Sequence, residues 1–454
     1  MTNVDHNAEP ASSRNLFVAK LLFFCVSMGG TGWSRFQNMF YLENGLTVSQ
    51  IGHLKSIGLV LKFVGEPILC IIADLTDQKA VFAMCILMQI FSMELLHWIA
   101  ISFGSLLWIK IIRTATAPSG TFTTTASYAL TKGSSEGFGR QRMFGSLAWG
   151  GGSFLAGAAI DMFGMDAIFW YSHFFNATCL FIILAFVPSV LFHKDSPEGI
   201  QLSTHGAATD CDAKDPKQAI QNSTQMRQRV SLGIHIRKFL REGRQFLRSI
   251  PCRIVLLDAA LYGFVMTVPD TFLFISLEKD WKASRTVSGL FTLLSTLSCL
   301  PLFWYSDRLI ARLGHHRVMI IAKGTCVARL AVCALVPPDW PFSLGLLAAA
   351  QLTHGANFAL FWAAAVDMLH RAAPPGLSAS SLAALNMAYF TVAGAASGLV
   401  WGPVYDAHGA AAVFAASAAL GLAVTGWFAG CRGLLEGGSP PDDAARAALD
   451  NSDE

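Results

Sequence analysis

Apolar runs close to twenty residues long recur along nearly the whole chain, and they restrict its fold more than any other feature. A transmembrane helix needs about 20 consecutive apolar residues to cross the hydrocarbon layer of a bilayer. The composition agrees, with 53% hydrophobic residues, 14% charged residues and a mean hydropathy of +0.47. Soluble domains carry about 25% charged residues. The sequence therefore predicts an all-α, multi-pass membrane protein.

The predicted spans number about twelve and fall into two sets of about six. The first set covers residues 16–41, 48–73, 80–103, 105–130, 142–161 and 166–192, and the second covers 252–277, 285–306, 317–337, 341–369, 378–403 and 408–432. Weak similarity between the two sets predicts two pseudo-symmetric six-helix bundles, over residues 16–192 and 251–432.

Polar segments flank and separate the two bundles. Residues 1–15 lead directly into an apolar run and are interpreted as a cytosolic N-terminal segment, unlike a cleaved signal peptide. Residues 193–250 form a predicted central loop that ends in a basic amphipathic helix, and residues 433–454 form an acidic, disordered tail. Lys and Arg gather at alternate helix ends, so the positive-inside rule places both termini in the cytosol. The plasma membrane or an organelle membrane is the expected location.

A cationic motif opens the fifth predicted span. The segment 137–145 reads GFGRQRMFG, and Trp149 follows it. Arg142 and Trp149 are seven residues apart, so they share one helix face at a separation of about 10 Å along the axis. A guanidinium group offers paired planar donors, and an indole ring can stack on another ring. The pair predicts a site for a hydroxylated solute.

Charged residues within other spans predict charge pairs between helices. A charge at the bilayer centre costs at least about 2.5–3.5 kcal/mol, so it normally faces a partner or a cavity. Arg35 and Asp270 occupy equivalent places in the two halves and are expected to form an outer gate, and Arg35 is also a candidate for substrate binding. Arg113 is expected to pair with Glu94 on the neighbouring span.

Lys55, Lys62 and Glu66 share one face of the second predicted span. In one interpretation Glu66 pairs with Lys62 while Lys55 extends its amine towards the membrane surface. In the other interpretation Glu66 carries a proton during transport. The sequence leaves both interpretations open.

Four motifs resemble the major facilitator superfamily, in its branch of lactose permease and the nucleoside–proton symporters. They lie at residues 138–149, at 270–274 (DTFLF), at 306–314 (SDRLIARLG) and at 354–362 (HGANFALFW). Because the motifs span nearly the whole chain, the resemblance implies the major facilitator fold of twelve helices in two bundles. It also implies secondary transport by alternating access.

The resemblance assigns roles to individual residues. Arg142 would donate hydrogen bonds to substrate hydroxyls, and Trp149 would stack on the substrate ring. Arg329 and His354 would belong to the network that couples a proton to transport. Asp270 lies on a helix that lines the cavity in this family, and it is therefore a candidate both for substrate binding and for proton coupling.

The chain departs from this branch at three carboxylates. The expected acids align with Thr124, with Thr296 or Cys299, and with Asn357. These departures count against recognition of galactosides and weaken the family route of proton coupling. Thr124 and Asn357 stay candidates for substrate binding.

Two short loops at corresponding helix ends are expected to set the transport cycle without touching the substrate. Asp74 closes the second predicted span, and Asp307 with Arg308 closes the eighth. The first loop reads ADLTDQK over residues 73–79 and lacks the glycines and the arginine that are usual in the family.

The sequence thus predicts a secondary transporter of a small polar, hydroxylated solute of the sugar or nucleoside class, with proton symport. The missing carboxylates favour an uncoupled facilitator as the alternative, and the altered first loop leaves a non-transporting receptor or scaffold open. The sequence holds no nucleophile–base set, metal-ligand spacing or phosphate loop, so no enzyme, cofactor or metal site is expected. The net charge of +3 argues against nucleic acid. The expected partners are the solute, protons and the bilayer, and the chain is expected to be monomeric.

Overall fold

The computed structural model describes residues 13–131, 138–187, 248–372 and 378–436. These residues are nearly all helical and contain no strand. The predicted N-terminal segment, central loop with its amphipathic helix, and acidic tail lie outside the described residues except at their edges. The side chains of Asp74 and Arg142 also lie outside the described part of the structure.

Helices occupy both halves of the chain, and we number them in chain order. The first half contains α1 (Ser13–Glu43), α2 (Val48–Leu75), α3 (Gln78–Trp98), α4 (Phe103–Arg113), α5 (Ser119–Thr131), α6 (Phe138–Phe163) and α7 (Ala167–Phe186). The second half contains α8 (Ile250–Lys279), α9 (Arg285–Leu313), α10 (His315–Leu335), α11 (Ser343–Gln351), α12 (Phe361–Ala372), α13 (Ser378–Asn386), α14 (Ala393–Gly430) and α15 (Arg432–Glu436).

Ten helices among the described residues are long and apolar enough to cross a membrane, compared with the roughly twelve spans that the sequence predicts. A short 3-10 helix, Thr114–Thr116, separates α4 from α5, so neither piece reaches the necessary length alone. The last two predicted spans join in one run, Ser381–Gly430, which bends at Gly409, where φ is 78°. The all-helical membrane fold is confirmed, and the count of twelve stays a prediction.

The two halves make close contacts at the end where α1 stops and α2 starts. A Cβ atom on Gly52 of α2 would lie 2.2 Å from the carbonyl oxygen of Gly398 on α14. A Cβ atom on Gly157 of α6 would likewise lie 2.3 Å from the carbonyl oxygen of Arg285 on α9. Small residues allow this backbone approach between membrane helices. Two similar glycine contacts therefore close this end, opposite the start of α1.

Two carboxylates at the same end cap helices of the opposite half. Asp161 of α6 accepts hydrogen bonds from the first two backbone N–H groups of α9, at 3.0 and 2.7 Å. Asp406 of α14 accepts from the first two N–H groups of α2, at 3.2 and 2.7 Å. A carboxylate at a helix N-terminus satisfies free N–H groups and interacts favourably with the helix dipole. The two caps therefore stabilise contact between the halves at this end.

Replacing Asp406 with Ala should loosen the closed end, because two N–H groups of α2 lose their acceptor. Loss of a helix cap costs about 0.5–2 kcal/mol. Backbone hydrogen exchange should become faster over residues 48–52 in the full-length protein. Asp166→Ala is the matched control, because Asp166 precedes α7 but its side chain forms no capping hydrogen bond among the described residues. Equal exchange rates in the two variants would contradict the capping role.

Candidate functional site

A cavity of about 2240 Å³ lies between the two halves. Its walls come from α1 to α6 of the first half and from α8, α9, α10 and residues 354–358 and 383–394 of the second. The cross-half contacts close it at one end, and its lining reaches towards the other end as far as Pro67, Thr125 and Phe303. A polar cavity between two helical bundles is the usual place for a transporter's binding site.

A chain of polar groups runs from the cavity wall into the second half. The Asp270 carboxylate lines the cavity and is 47% exposed, and its Oδ1 lies 3.9 Å from Nδ1 of His354. The same His354 nitrogen lies 3.1 Å from Nη1 of Arg329, which is buried. Arg329 also donates to Oε1 of Gln351 at 2.5 Å. The structure therefore brings the sequence candidates Asp270, His354 and Arg329 together, with Gln351 as an added member.

Helix geometry explains how this chain of groups is positioned. The segment that carries His354 contains a π-helical turn, Ala356–Leu360, and such wide turns are frequent at functional sites. Gly355 lets this segment approach α9 closely, since a Cβ atom there would lie 2.1 Å from the carbonyl oxygen of Ser298. The neighbouring residue His354 is thereby held at the cavity wall.

Arg35 contacts Asp270 across the two halves, but it contacts the backbone of Asp270 and not the carboxylate. Arg35 Nη1 donates to the carbonyl oxygen of Asp270 at 3.5 Å, and its guanidinium lies 4.2 Å from the centre of the Phe274 ring. The Asp270 carboxylate lies near His354 instead. The outer-gate role of the pair stays a prediction, with a geometry that differs from the expected ion pair.

The other substrate-binding candidates are found in different places. Trp149 lines the cavity and is 36% exposed, and Thr124 lines it while donating to the carbonyl oxygen of Gly120 at 2.9 Å. Asn357 is fully buried behind the described cavity lining, where its Oδ1 accepts from Thr325 at 2.7 Å. Arg142 lies on α6, two turns from Trp149, and its side chain is outside the described structure.

The charged residues that share one face of α2 have different partners at its two ends. Lys62 Nζ lies 4.0 Å from Glu66 Oε2, and Thr121 donates to Glu66 Oε1 at 2.6 Å. Lys55 instead donates to the hydroxyl of Thr271 in the other half. The expectation that Lys55 extends towards the membrane surface is therefore wrong, because a neutral acceptor lies across the cavity. The proton-carrying role of Glu66 stays a prediction.

The predicted pair of Arg113 with Glu94 does not form in the described structure. Arg113 donates to the Ser92 hydroxyl at 3.2 Å and lies 5.5 Å from the centre of the Trp33 ring. Glu94 instead lies 2.9 Å from Nε2 of His173. Helix periodicity predicted the neighbouring helices correctly, but it did not predict that Arg113 and Glu94 face opposite ways.

Lys110 is a cavity cation that the sequence reasoning missed. Its Nζ donates to Oε1 of Gln37 at 3.1 Å and lies 5.7 Å from the centre of the Tyr41 ring. Its position inside a predicted span could have identified it as a cavity residue, because an intramembrane lysine needs a cavity or a partner. Asp161 and Asp406 were also missed, and their caps depend on contacts between distant parts of the chain.

The loop candidates lie away from the described cavity lining. Asp307 and Arg308 are exposed, and the Arg308 guanidinium lies 5.9 Å from the centre of the Tyr305 ring. Asp74 lies at the end of α2. Their role in the transport cycle stays a prediction.

The helical membrane fold and the polar cavity between two halves define a membrane transporter of the major facilitator type. The MFS_1 like family matches residues 18–416, so the chain belongs to this family. It is an integral, multi-pass membrane protein.

Several solved transporter structures share this fold. A variant of the nucleoside transporter NupG is 16% identical, covers 91% of this chain and 98% of its own, and has a TM-score of 0.68. A POT family transporter in complex with a thioalcohol-conjugated peptide is 12% identical over 93% of this chain and 96% of its own, with a TM-score of 0.67. A bacterial homologue of the human lysosomal transporter Spinster, inward-facing and unoccupied, is 14% identical over 95% and 94%, with a TM-score of 0.58. At these identities the likeness shows the fold alone.

Gln351→Leu should destabilise the protein, because buried Arg329 loses a charge-assisted hydrogen bond worth about 1.5–3 kcal/mol. Gln89→Leu is the control, since Gln89 lines the cavity and its side chain forms no hydrogen bond with the described residues. Thermal unfolding in detergent should occur at a lower temperature for Gln351→Leu. Matching unfolding temperatures for the two variants would contradict this role of Gln351.

Proposed function

We propose that this protein is a proton symporter that moves a small polar, hydroxylated solute of the sugar or nucleoside class by alternating access. The observation that carries the proposal is the position of His354, whose Nδ1 lies between Asp270 and Arg329 at the cavity wall. Arginine has only donors, so this nitrogen must be the acceptor when Arg329 contacts it.

A proton on Nδ1 changes the partner of His354. The protonated nitrogen can no longer accept from Arg329, and the two cations then repel one another. The Asp270 carboxylate, 3.9 Å away, is the acceptor that attracts the protonated ring. Proton binding thus moves a side chain of the cavity wall, and histidine is suited to this role at physiological pH. A solute that binds beside Asp270 would favour one of these two arrangements.

The walls of the cavity suit a hydroxylated ring. Trp149 offers an indole face for stacking, and Arg142 lies on the same face of α6. Hydroxyl groups line much of the remaining cavity, on Ser34, Thr116, Ser119, Thr121, Thr124, Thr125, Thr267, Thr271, Thr292, Ser295 and Thr296. Most of these hydroxyl groups already donate to a carbonyl or carboxylate oxygen of the protein, so their oxygen atoms are available to accept hydrogen bonds from substrate hydroxyls. The likeness to a nucleoside transporter supports this class, while peptide transporters have a similar fold.

Alternating access would open the closed end and narrow the opposite end. The caps at Asp161 and Asp406 and the Arg285–Glu43 ion pair are among the contacts that must break as the halves rock around the site. With both termini placed in the cytosol, as the positive-inside rule predicts, the present arrangement is closed on the outer side. Asp74, Asp307 and Arg308 would then act at the cytosolic end.

Solute accumulation in proteoliposomes should rise under an inward proton gradient, by about tenfold for each pH unit if one proton moves with each solute, because a pH unit corresponds to about 1.4 kcal/mol. His354→Gln should remove this dependence on the gradient, because glutamine cannot carry the proton. His53→Gln is the matched control, since His53 lies on α2 outside the described cavity lining. If uptake by the unmodified protein does not depend on the proton gradient, proton symport is excluded and the uncoupled facilitator is favoured. Binding without uptake would favour the receptor or scaffold.

Trp149→Ala should weaken solute binding by about two- to tenfold, because an aromatic contact contributes about 0.5–1.5 kcal/mol. Trp149→Phe should retain most of the affinity, since a ring remains. Trp108→Ala provides the control, because Trp108 is 69% exposed on α4 and outside the described cavity lining. Affinity would be measured by competition binding on purified protein. An unchanged Kd in Trp149→Ala would show that the indole does not stack on the solute.

A further inference from the structure

The charges that line the cavity do not balance. Among the described residues that line it, six side chains are cationic, namely Arg35, Lys55, Lys62, Lys110, Arg113 and Arg329. Two carboxylates, Glu66 and Asp270, line the same cavity. Six cations against two carboxylates leave a formal excess of four positive charges.

Five of these cations lack an acidic partner within the described part of the chain, and four of the five also lie outside the chain of groups around His354. Lys62 lies beside Glu66, and Arg329 belongs to the chain of groups with His354. The remaining four form no ion pair with any described carboxylate. We name these four, Arg35, Lys55, Lys110 and Arg113, the cation cluster.

The direct contacts of the cation cluster are all with neutral groups, although the Asp270 carboxylate lies close enough to interact electrostatically with Arg35 and Lys55. Arg35 contacts a backbone carbonyl and a Phe ring, and Lys55 contacts a threonine hydroxyl. Lys110 contacts a glutamine amide and a Tyr ring, and Arg113 contacts a serine hydroxyl and a Trp ring. Neutral acceptors and aromatic faces hold the cations in place without cancelling their charge.

The members of the cation cluster are neighbours at the closed end of the cavity. Lys110 and Arg113 lie against Tyr41 and Trp33, whose rings are 5.8 Å apart. Arg35 and Lys55 contact two consecutive residues of α8, at positions 270 and 271. These four cations therefore form one positive region.

A positive region of this kind is costly without an anion. Removing a charge from water in a membrane protein is unfavourable unless an opposite charge or water compensates it. Low-dielectric walls also concentrate the field and attract anions into the cavity. A neutral sugar or nucleoside would leave the positive excess of the cavity uncompensated.

We propose that the transported solute carries an acid group, a carboxylate or a phosphate, and that the cation cluster binds it. The proposal rests on the hydroxylated solute of the proposed function and adds a charge to it, as in a sugar acid or a phosphorylated sugar. The acid group lies at the closed end against Arg35, Lys55, Lys110 and Arg113. The hydroxylated ring lies between Trp149 and the threonine-lined walls.

Binding of matched neutral and acidic probes to the purified full-length protein tests the proposal. The probes are glucose, glucuronate and glucose 6-phosphate, with uridine and uridine monophosphate as a second series and succinate as an acid that lacks hydroxyl groups. At least one acidic probe should bind about tenfold more tightly than its neutral partner, and its affinity should fall as salt rises. Comparing the affinity for glucuronate with that for glucose 6-phosphate distinguishes a carboxylate from a phosphate as the acid group.

Variants of the cation cluster provide the second measurement. Lys110→Gln and Arg113→Gln should each lower the affinity for the preferred acidic probe by about tenfold and leave the neutral probe little changed. Lys110→Arg keeps the charge and should keep the preference for the acid, which makes the result interpretable if a neutral variant folds poorly. Lys62→Gln is the matched control, since Lys62 lies beside Glu66 outside the cation cluster.

The possible outcomes separate this inference from the proposed function. If neutral probes bind and are transported as well as acidic ones, the inference fails and the proposed function stands. If succinate binds while every hydroxylated probe fails, the hydroxylated class fails and the anionic solute stands. If Lys110→Gln and Arg113→Gln keep the full preference for the acid, the cation cluster is not its binding site.

Discussion

A charged side chain inside a bilayer must face an opposite charge, a neutral hydrogen-bonding partner or water, and this requirement organises the interior of the protein. The polar cavity between the halves exists within a highly apolar chain because charged groups from both halves converge on it. Asp270, His354 and Arg329 interact along one wall, whereas the cation cluster occupies the closed end. The same physical cost that makes these groups rare in membrane helices makes them the best indicators of function.

The closed end depends on interactions that no single half can provide. Asp161 and Asp406 each cap a helix of the opposite half, and glycines such as Gly52 and Gly157 allow the backbones to touch. The capping bonds connect exposed backbone groups to carboxylates near the ends of helices. Water can replace such bonds at modest cost, so this closure suits a contact that forms and breaks during transport.

Much of the fold could be predicted from the sequence, because the hydrophobic runs report directly on the bilayer. The helical class, the two sets of spans and the place of Trp149 on the cavity wall follow from length, periodicity and motif. Partners of charged residues were harder to predict. Arg113 lies against Trp33 and Ser92 because its side chain turns towards the cavity, and periodicity does not give that direction. The caps at Asp161 and Asp406 depend on tertiary contacts between the halves, which no local pattern encodes.

Alternating access requires the two halves to rock around the cavity in response to solute and protons. A distance measurement by electron spin resonance across the closed end tests it most directly, with labels in place of Asn44 in the first half and His408 in the second, both exposed. We predict a short distance in the unliganded protein and a second, longer distance whose population changes when solute and acidic pH are applied together. A single distance that stays the same under all these conditions would contradict the rocking of the two halves.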